Sequence, residues 1–212
     1  MPTITTGDLE VVFPRVAKEK IEVAELEAGT EIAALKFVSD LKTTVTGDAA
    51  FVGKGVTESS VVLESTKKNT PKLVLQNTNF SKSDIKISGE GVGRIKSNTG
   101  AFNESKITGG KKNDSIKFGN KSTVNNATII LGKGGDSITF GKGTTFKGKT
   151  TVNLTPGGKD VVTFGKNLES QNGFVVIKSF EKGDKLIVGN DTFTYNKIKN
   201  GVDIPGIRIN LP

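Results

Sequence analysis

Short alternations of apolar and polar residues recur along the chain, each preceded by a turn and followed by glycine. In the segment GKGGDSITFGKG, residues 132–143, a glycine-rich turn leads into Asp136, and Ile138 and Phe140 then alternate with polar residues. A period of two is the signature of a β-strand with one buried face. Each such segment therefore predicts a turn followed by a short, half-buried strand.

The same segment returns with a nearly constant period. Its aspartates are Asp114, Asp136, Asp160 and Asp184, with spacings of 22, 24 and 24 residues. Asp48 lies three periods of 22 residues before Asp114. A fixed period in this range indicates a repeat protein, in which each unit buries its apolar face against its neighbours.

Apolar residues mark the remainder of each repeat. Two series have a spacing of 22 residues: Phe80, Phe102, Val124 and Phe146, and Leu63, Ile85, Ile107 and Ile129. Leu73 and Ile95 stand near the position that Ile116, Ile138, Val162 and Leu186 hold after the aspartates. The pattern predicts a mainly β fold, a parallel β-solenoid of the β-roll or β-helix type, with about seven coils of 22–24 residues.

The alignment also makes two predictions about the interior. Phe118, Phe140 and Phe164 are expected to stack in one internal column. Gly119, Gly141 and Gly165 follow them, and we expect these glycines to form the next bend with positive φ, which glycine adopts at low cost.

The ends of the chain do not repeat. Residues 1–42 are predicted to be an N-terminal segment for capping or attachment, and the apolar pattern within residues 16–42 suits strands or a helix equally well. Residues 43–193 are predicted to form the solenoid. Residues 194–212 are predicted to form a closing strand or tail, in which Pro205 and Pro212 limit pairing.

Composition narrows the chemistry. The chain has no Cys and no His, so it lacks disulfides, thiolate metal ligands and the commonest general base. An enzyme would have to use carboxylates, lysine or Tyr195, the single tyrosine. We therefore predict a protein that is not an enzyme.

Charge indicates the kind of partner. The net charge is +8, which favours acidic partners such as a particle shell or an anionic cell surface. Nearly all the positive charge is lysine, since Arg15, Arg94 and Arg208 are the only arginines, and sequence-specific nucleic-acid binding is not expected. The lysine pairs at 67–68 and 111–112 fit a solvated face better than a polyanion patch.

The aspartate turns resemble the glycine-aspartate nonapeptide of repeats-in-toxin proteins, G-G-x-G-x-D-x-U-x, in degenerate form. Residues 109–116, GGKKNDSI, keep two of its glycines, the aspartate and the apolar residue. The resemblance covers residues 109–190 and implies a β-roll-like coil. It also implies calcium between successive turns, which makes Asp114, Asp136, Asp160 and Asp184 candidate metal ligands.

Two departures from the family pattern favour a protein without a cofactor. The coil is longer than two nonapeptides, and its second turn has no aspartate. Lysines crowd the turns, where they would compete with calcium or neutralise the stacked carboxylates. The alternative to calcium is that each aspartate accepts backbone N–H bonds within its own turn.

Together these features predict a structural protein of a virion or particle surface. The N-terminal segment would dock on a shell such as a phage capsid, and the rod would project as a decoration, knob or fibre. The chain is also expected to form a homo-oligomer in the assembly. A low-arginine chain without Cys or His resembles phage proteins from AT-rich marine hosts. The alternative is a secreted or cell-surface calcium-binding protein of the repeats-in-toxin type. No signal peptide and no membrane span are visible, although an uncleaved C-terminal signal would also permit secretion.

Overall fold

Each coil of the chain consists of three short strands joined by tight corners. The computed structural model describes residues 30–35, 38–39, 42–45, 49–53, 55–68, 70–170 and 172–212. Apolar side chains at alternate positions of each strand point into the coil, as in β16, Ser137–Phe140, where Ile138 and Phe140 are buried. The thin core therefore follows directly from the period-two pattern.

The strands are short, with two to six residues each. In chain order they are β1 Thr30–Leu35, β2 Val38–Ser39, β3 Lys42–Val45, β4 Ala49–Gly53, β5 Val56–Thr57, β6 Ser60–Ser65, β7 Lys72–Gln76, β8 Phe80–Ser81, β9 Asp84–Gly89, β10 Arg94–Ser97, β11 Ala101–Asn103, β12 Lys106–Thr108, β13 Ser115–Phe118, β14 Thr123–Asn125, β15 Thr128–Ile130, β16 Ser137–Phe140, β17 Thr145–Lys147, β18 Lys149–Asn153, β19 Val161–Phe164, β20 Glu169–Ser170, β21 Phe174–Lys178, β22 Lys185–Val188, β23 Asp191–Thr194 and β24 Ile207–Ile209. The described residues contain one helix, α1, which spans Tyr195–Lys199.

Equivalent strands of successive coils pair in parallel, so the described residues form three long sheets. Sheet 1 has the order β1-β4-β7-β10-β13-β16-β19-β22-β23, sheet 2 the order β2-β5-β8-β11-β14-β17-β20, and sheet 3 the order β3-β6-β9-β12-β15-β18-β21-β24. Six full coils run from Ala49 to Lys178, and the triplet β1–β3 precedes them. The predicted parallel β-solenoid is confirmed.

The predicted phenylalanine column is also confirmed. The ring of Phe140 stacks on Phe118 with centroids 5.2 Å apart and on Phe164 at 5.0 Å. Phe80 and Phe102 stack in the same way at 5.6 Å, one sheet further along the coil. Parallel pairing in register places identical side chains about 4.8 Å apart along the axis, and this spacing produces the ring stacks.

One predicted column is wrong by two residues. Leu63 pairs with Ile87, whereas Ile85 pairs with Val61. Ile85, Ile107 and Ile129 do form a column as predicted. The coil from β6 to β9 is longer by two residues, because the corner between β6 and β7 is longer, so a fixed period of 22 fails at this step.

The reason for the glycines after the phenylalanine column also differs from the prediction. Gly119, Gly141 and Gly165 are not among the glycines with positive φ. A Cβ on Gly119 would lie 1.9 Å from the carbonyl oxygen of Asn98, and a Cβ on Gly141 would lie 2.6 Å from the carbonyl carbon of Gly119. Glycine is needed there because neighbouring coils approach too closely for any side chain.

Strands already precede residue 43, at which the predicted repeats begin. β1 and β2 belong to sheets 1 and 2, so the described part of residues 16–42 contains strands. Residues 1–29 and Asp48 lie outside the described residues. The attachment or capping role of residues 1–42 stays a prediction.

The C-terminal end is closed by three elements. β23 folds back antiparallel on β22, α1 follows it, and β24 adds a last parallel strand to β21. The short helix was not predicted from the sequence. No helix among the described residues is long and apolar enough to cross a membrane.

Candidate functional site: the aspartate column

The four predicted aspartates form one column at the corner where a coil enters sheet 1. Asp114, Asp136, Asp160 and Asp184 directly precede β13, β16, β19 and β22, and each is at most 2 % exposed. Each lies two residues before an inward apolar residue, such as Ile116 after Asp114, and residues i and i+2 of a strand share a face. The carboxyl groups are therefore directed into the coil, away from solvent.

Each carboxyl group is bonded to the backbone of the preceding coil. Oδ1 of Asp136 accepts the N–H of Asp114 at 2.6 Å. Oδ1 of Asp160 accepts the N–H of Asp136 at 2.8 Å, and Oδ1 of Asp184 accepts the N–H of Asp160 at 2.9 Å. The first step of this aspartate ladder is the N–H of Gly93, which donates to Oδ1 of Asp114 at 2.7 Å. The bonds link five successive coils.

The ends of the ladder have a second bond, within the turn. The N–H of Gly110 donates to Oδ2 of Asp114 at 2.5 Å, and the N–H of Glu181 donates to Oδ2 of Asp184 at 2.8 Å. At Asp136 and Asp160 the backbone N–H donor found among the described residues belongs to the preceding coil. Bonds within the turn, as the sequence predicted, therefore occur at Asp114 and Asp184, and the bonds between coils were not anticipated.

Burial raises the pKa of every aspartate in the column. Loss of hydration is the largest cause at all four, and backbone N–H donors oppose it. The pKa of Asp136 rises to about 8, with added repulsion from the carboxylates of Asp114 and Asp160. The pKa of Asp160 rises to about 7, with repulsion from Asp184 and Glu181. The interior of the ladder thus favours the neutral acid near physiological pH.

Oδ2 of Asp136 is the one ladder oxygen among the described residues that is buried without a hydrogen-bond partner. A buried, unpaired anion is far more costly than a buried, unpaired neutral group. The missing partner and the raised pKa of Asp136 are therefore consistent with each other. Both indicate a protonated carboxyl group at the centre of the column.

The donor set is a poor match for the calcium site that the resemblance implies. Calcium takes six to eight oxygen ligands at about 2.3–2.6 Å. Between successive aspartates lies a backbone N–H, whose hydrogen points at the carboxylate. Among the described residues no three acidic side chains converge as a metal site requires. The arrangement suits hydrogen-bond donors better than a cation.

The turn lysines lie on the outside of the corner. Lys111, Lys112 and Lys133 are exposed, while the aspartates are buried. Lys111 donates to Glu90 at 2.7 Å, so its charge is paired on the surface with the preceding coil. The predicted neutralisation of the aspartates by lysine is not what this geometry provides.

A second ladder, formed by serines, was not predicted from the sequence. The N–H of Ser59 donates to Oγ of Ser83 at 2.9 Å, and the N–H of Ser83 donates to Oγ of Ser105 at 3.0 Å. All three serines are buried at the corner between sheets 2 and 3. Their spacings of 24 and 22 residues are the same two spacings that separate the aspartates, and this agreement could have predicted the serine ladder from the sequence.

Comparisons with protein-family models, with curated proteins and with solved structures give no match. The parallel β-solenoid is consistent with the β-roll-like coil that the resemblance to repeats-in-toxin proteins implies.

Proposed function

We propose that this chain is a structural component of a particle surface, a virion decoration, knob or fibre that docks through its N-terminal segment. The observation that carries the proposal is the aspartate ladder. The acidic groups that recur in every late coil are bonded to the backbone of the neighbouring coil, and they lie inside the rod. Their role is to hold coils together rather than to contact a substrate.

The form of the rod supports this role. Eight parallel strands of sheet 1, β1 to β22, span about 34 Å at a spacing of about 4.8 Å. One continuous apolar core, with stacked rings at its centre, joins the coils. Such a body resists bending and holds its two ends at a fixed distance, which suits a projecting element.

The closure of the C-terminal end supports docking by the N-terminal end. β23, α1 and β24 close the C-terminal end. The opposite end begins at β1 and is continuous with residues 1–29. An attachment segment at that end would leave the closed end facing outward.

The proposal is tested by particle association. Three chains are expressed in the cells that produce the particle. They are the full chain, a variant lacking residues 1–29, and a control in which residues 1–29 are replaced by a shuffled sequence of the same composition. We expect the full chain to sediment with released particles. Both altered chains should stay in the supernatant with an unchanged melting temperature.

Two results would contradict docking through this segment. One is sedimentation of all three chains alike. The other is free full-length chain in the medium, together with loss of export when residues 193–212 are deleted and export of a reporter to which these residues are fused. This second result would favour the secreted alternative.

A further inference from the structure

Over six consecutive strands the outer face of sheet 1 carries no negative charge, and three of its positive charges lie on the two neighbouring strands β10 and β13. The sheet 1 strands β7, β10, β13, β16, β19 and β22 have the sequences KLVLQ, RIKS, SIKF, SITF, VVTF and KLIV, which contain no Asp or Glu. Arg94, Lys96 and Lys117 are exposed on this face. We call these three residues the cationic patch.

The register places like charges directly opposite each other. Lys96 is the in-register neighbour of Lys117. Like charges opposed across neighbouring strands destabilise a sheet. Among the described residues no carboxylate forms an ion pair with the cationic patch. An anionic ligand that lies across the strands would offset this repulsion, which gives a reason for the arrangement.

The outer face of sheet 3 differs in this respect. It also carries exposed lysines, Lys86, Lys106 and Lys149, but Asp84 and Glu64 lie exposed among them. The charges of sheet 3 are therefore partly balanced within the face. The unbalanced field of sheet 1 is a local feature and not only a consequence of the net charge of +8.

The structure assigns to the cationic patch the binding of a linear acidic polysaccharide, whose carboxylate or sulfate groups would contact Arg94, Lys96 and Lys117. This goes beyond particle docking, which involves the other end of the chain.

The dimensions of the patch indicate a single extended chain. Arg94 and Lys96 lie about 7 Å apart along β10, and Lys117 lies on the neighbouring strand β13, about 4.8 Å further along the axis. Three cations on two neighbouring strands can contact only a few anionic groups, whereas a protein bound to a duplex makes about six to ten phosphate contacts. A duplex is therefore a poor occupant.

The chemistry of the face separates a sugar chain from a single-stranded nucleic acid. Single strands are bound by stacking their bases on aromatic side chains. On β7, β10 and β13 the outward residues include no aromatic side chain, and Phe118 points inward and is buried. Ser115, Ser137 and Thr139 continue the face as half-exposed hydroxyl groups, which can bond to sugar hydroxyls.

The test compares two variants of equal charge. The patch variant is Arg94→Gln, Lys96→Gln and Lys117→Gln, and the control is Lys86→Gln, Lys106→Gln and Lys149→Gln on sheet 3. Both reduce the net charge from +8 to +5. Calorimetric titration of the full chain at about 50 mM salt uses heparin, polygalacturonate, dextran and an oligothymidylate.

We expect heparin or polygalacturonate to bind the native chain and dextran not to bind. Loss of three exposed charge contacts in the patch variant should raise the Kd by about tenfold. The control should change the Kd by less than about twofold. The patch variant should melt at or slightly above the native temperature, because opposed like charges are removed.

Three results would overturn the inference: no binding of either acidic polysaccharide, equal loss in both variants, or oligothymidylate binding as tight as polysaccharide binding and equally sensitive to the patch. None of them bears on docking through residues 1–29, so the two proposals fail separately.

Discussion

At the residue scale, Asp136 links the stability of the rod to pH. Its carboxyl group is buried, accepts the N–H of Asp114 through Oδ1, and has a pKa raised to about 8. An unfolded aspartate titrates near 3.9. Between these two values the native state binds a proton that the unfolded state has released.

The sign of the pH dependence follows from this difference. Because the native state holds more protons, the free energy of unfolding falls as pH rises from about 4 to about 8. The pKa of about 8 corresponds to about 4 kcal/mol for Asp136 alone between pH 5 and pH 9, so we expect the melting temperature to fall by about 8–16 °C over this range. Thermal melts followed by circular dichroism at several pH values measure this change in melting temperature.

Asp136→Asn isolates the residue, because the amide keeps an acceptor for the N–H of Asp114 and does not titrate. Its melting temperature should fall less between pH 5 and pH 9, with the remaining fall due to Asp160. Asp191→Asn changes an exposed aspartate of β23 and should leave the native profile unchanged. A native melting temperature that rises with pH, or a variant profile identical to the native one, would refute the assignment.

At the element scale, the corners after β13, β16 and β19 require a residue without a side chain. A Cβ on Gly141 would lie 2.6 Å from the carbonyl carbon of Gly119 and 2.7 Å from the N of Asn120. Both atoms belong to the backbone of the neighbouring coil, so the coils would have to separate.

Gly141→Ala is therefore expected to cost about 1–3 kcal/mol, which lowers the melting temperature by about 2–12 °C. Gly135→Ala is the matched control, since its Cβ would have its nearest contact at 3.4 Å, to the carbonyl oxygen of Lys159. We expect less than about 0.5 kcal/mol there. Equal effects of the two substitutions in thermal melts would show that close approach of coils is not the reason for glycine.

At the scale of the whole molecule, repetition made the fold predictable. Parallel pairing places a residue beside its equivalent one coil later, so the spacing of Ile116, Ile138 and Val162 specifies both strand and register. The aspartates were found by the same logic. The sequence also predicted the ring stacks, because apolar residues at equivalent positions have no other place in a thin core.

What the sequence did not reveal depends on geometry between coils. A spacing does not show whether a bond is made within a turn or across to the next coil, so the partners of Asp136 were missed. A glycine serves positive φ or close approach equally well, and Gly141 was assigned the wrong reason. Two extra residues in one corner shifted Leu63 out of its predicted column.

We propose that the aspartate column is an internal hydrogen-bond ladder that holds the coils of the rod together. The most direct measurement is thermal unfolding of the full chain by circular dichroism, in millimolar calcium and again in chelator. The ladder predicts the same β-sheet signal and the same melting temperature in both. A ligand present at 100 times its Kd would add about 2.7 kcal/mol, or about 5–11 °C. A rise of that size with calcium, or loss of the β-sheet signal in chelator, would contradict the ladder and establish the column as a metal site.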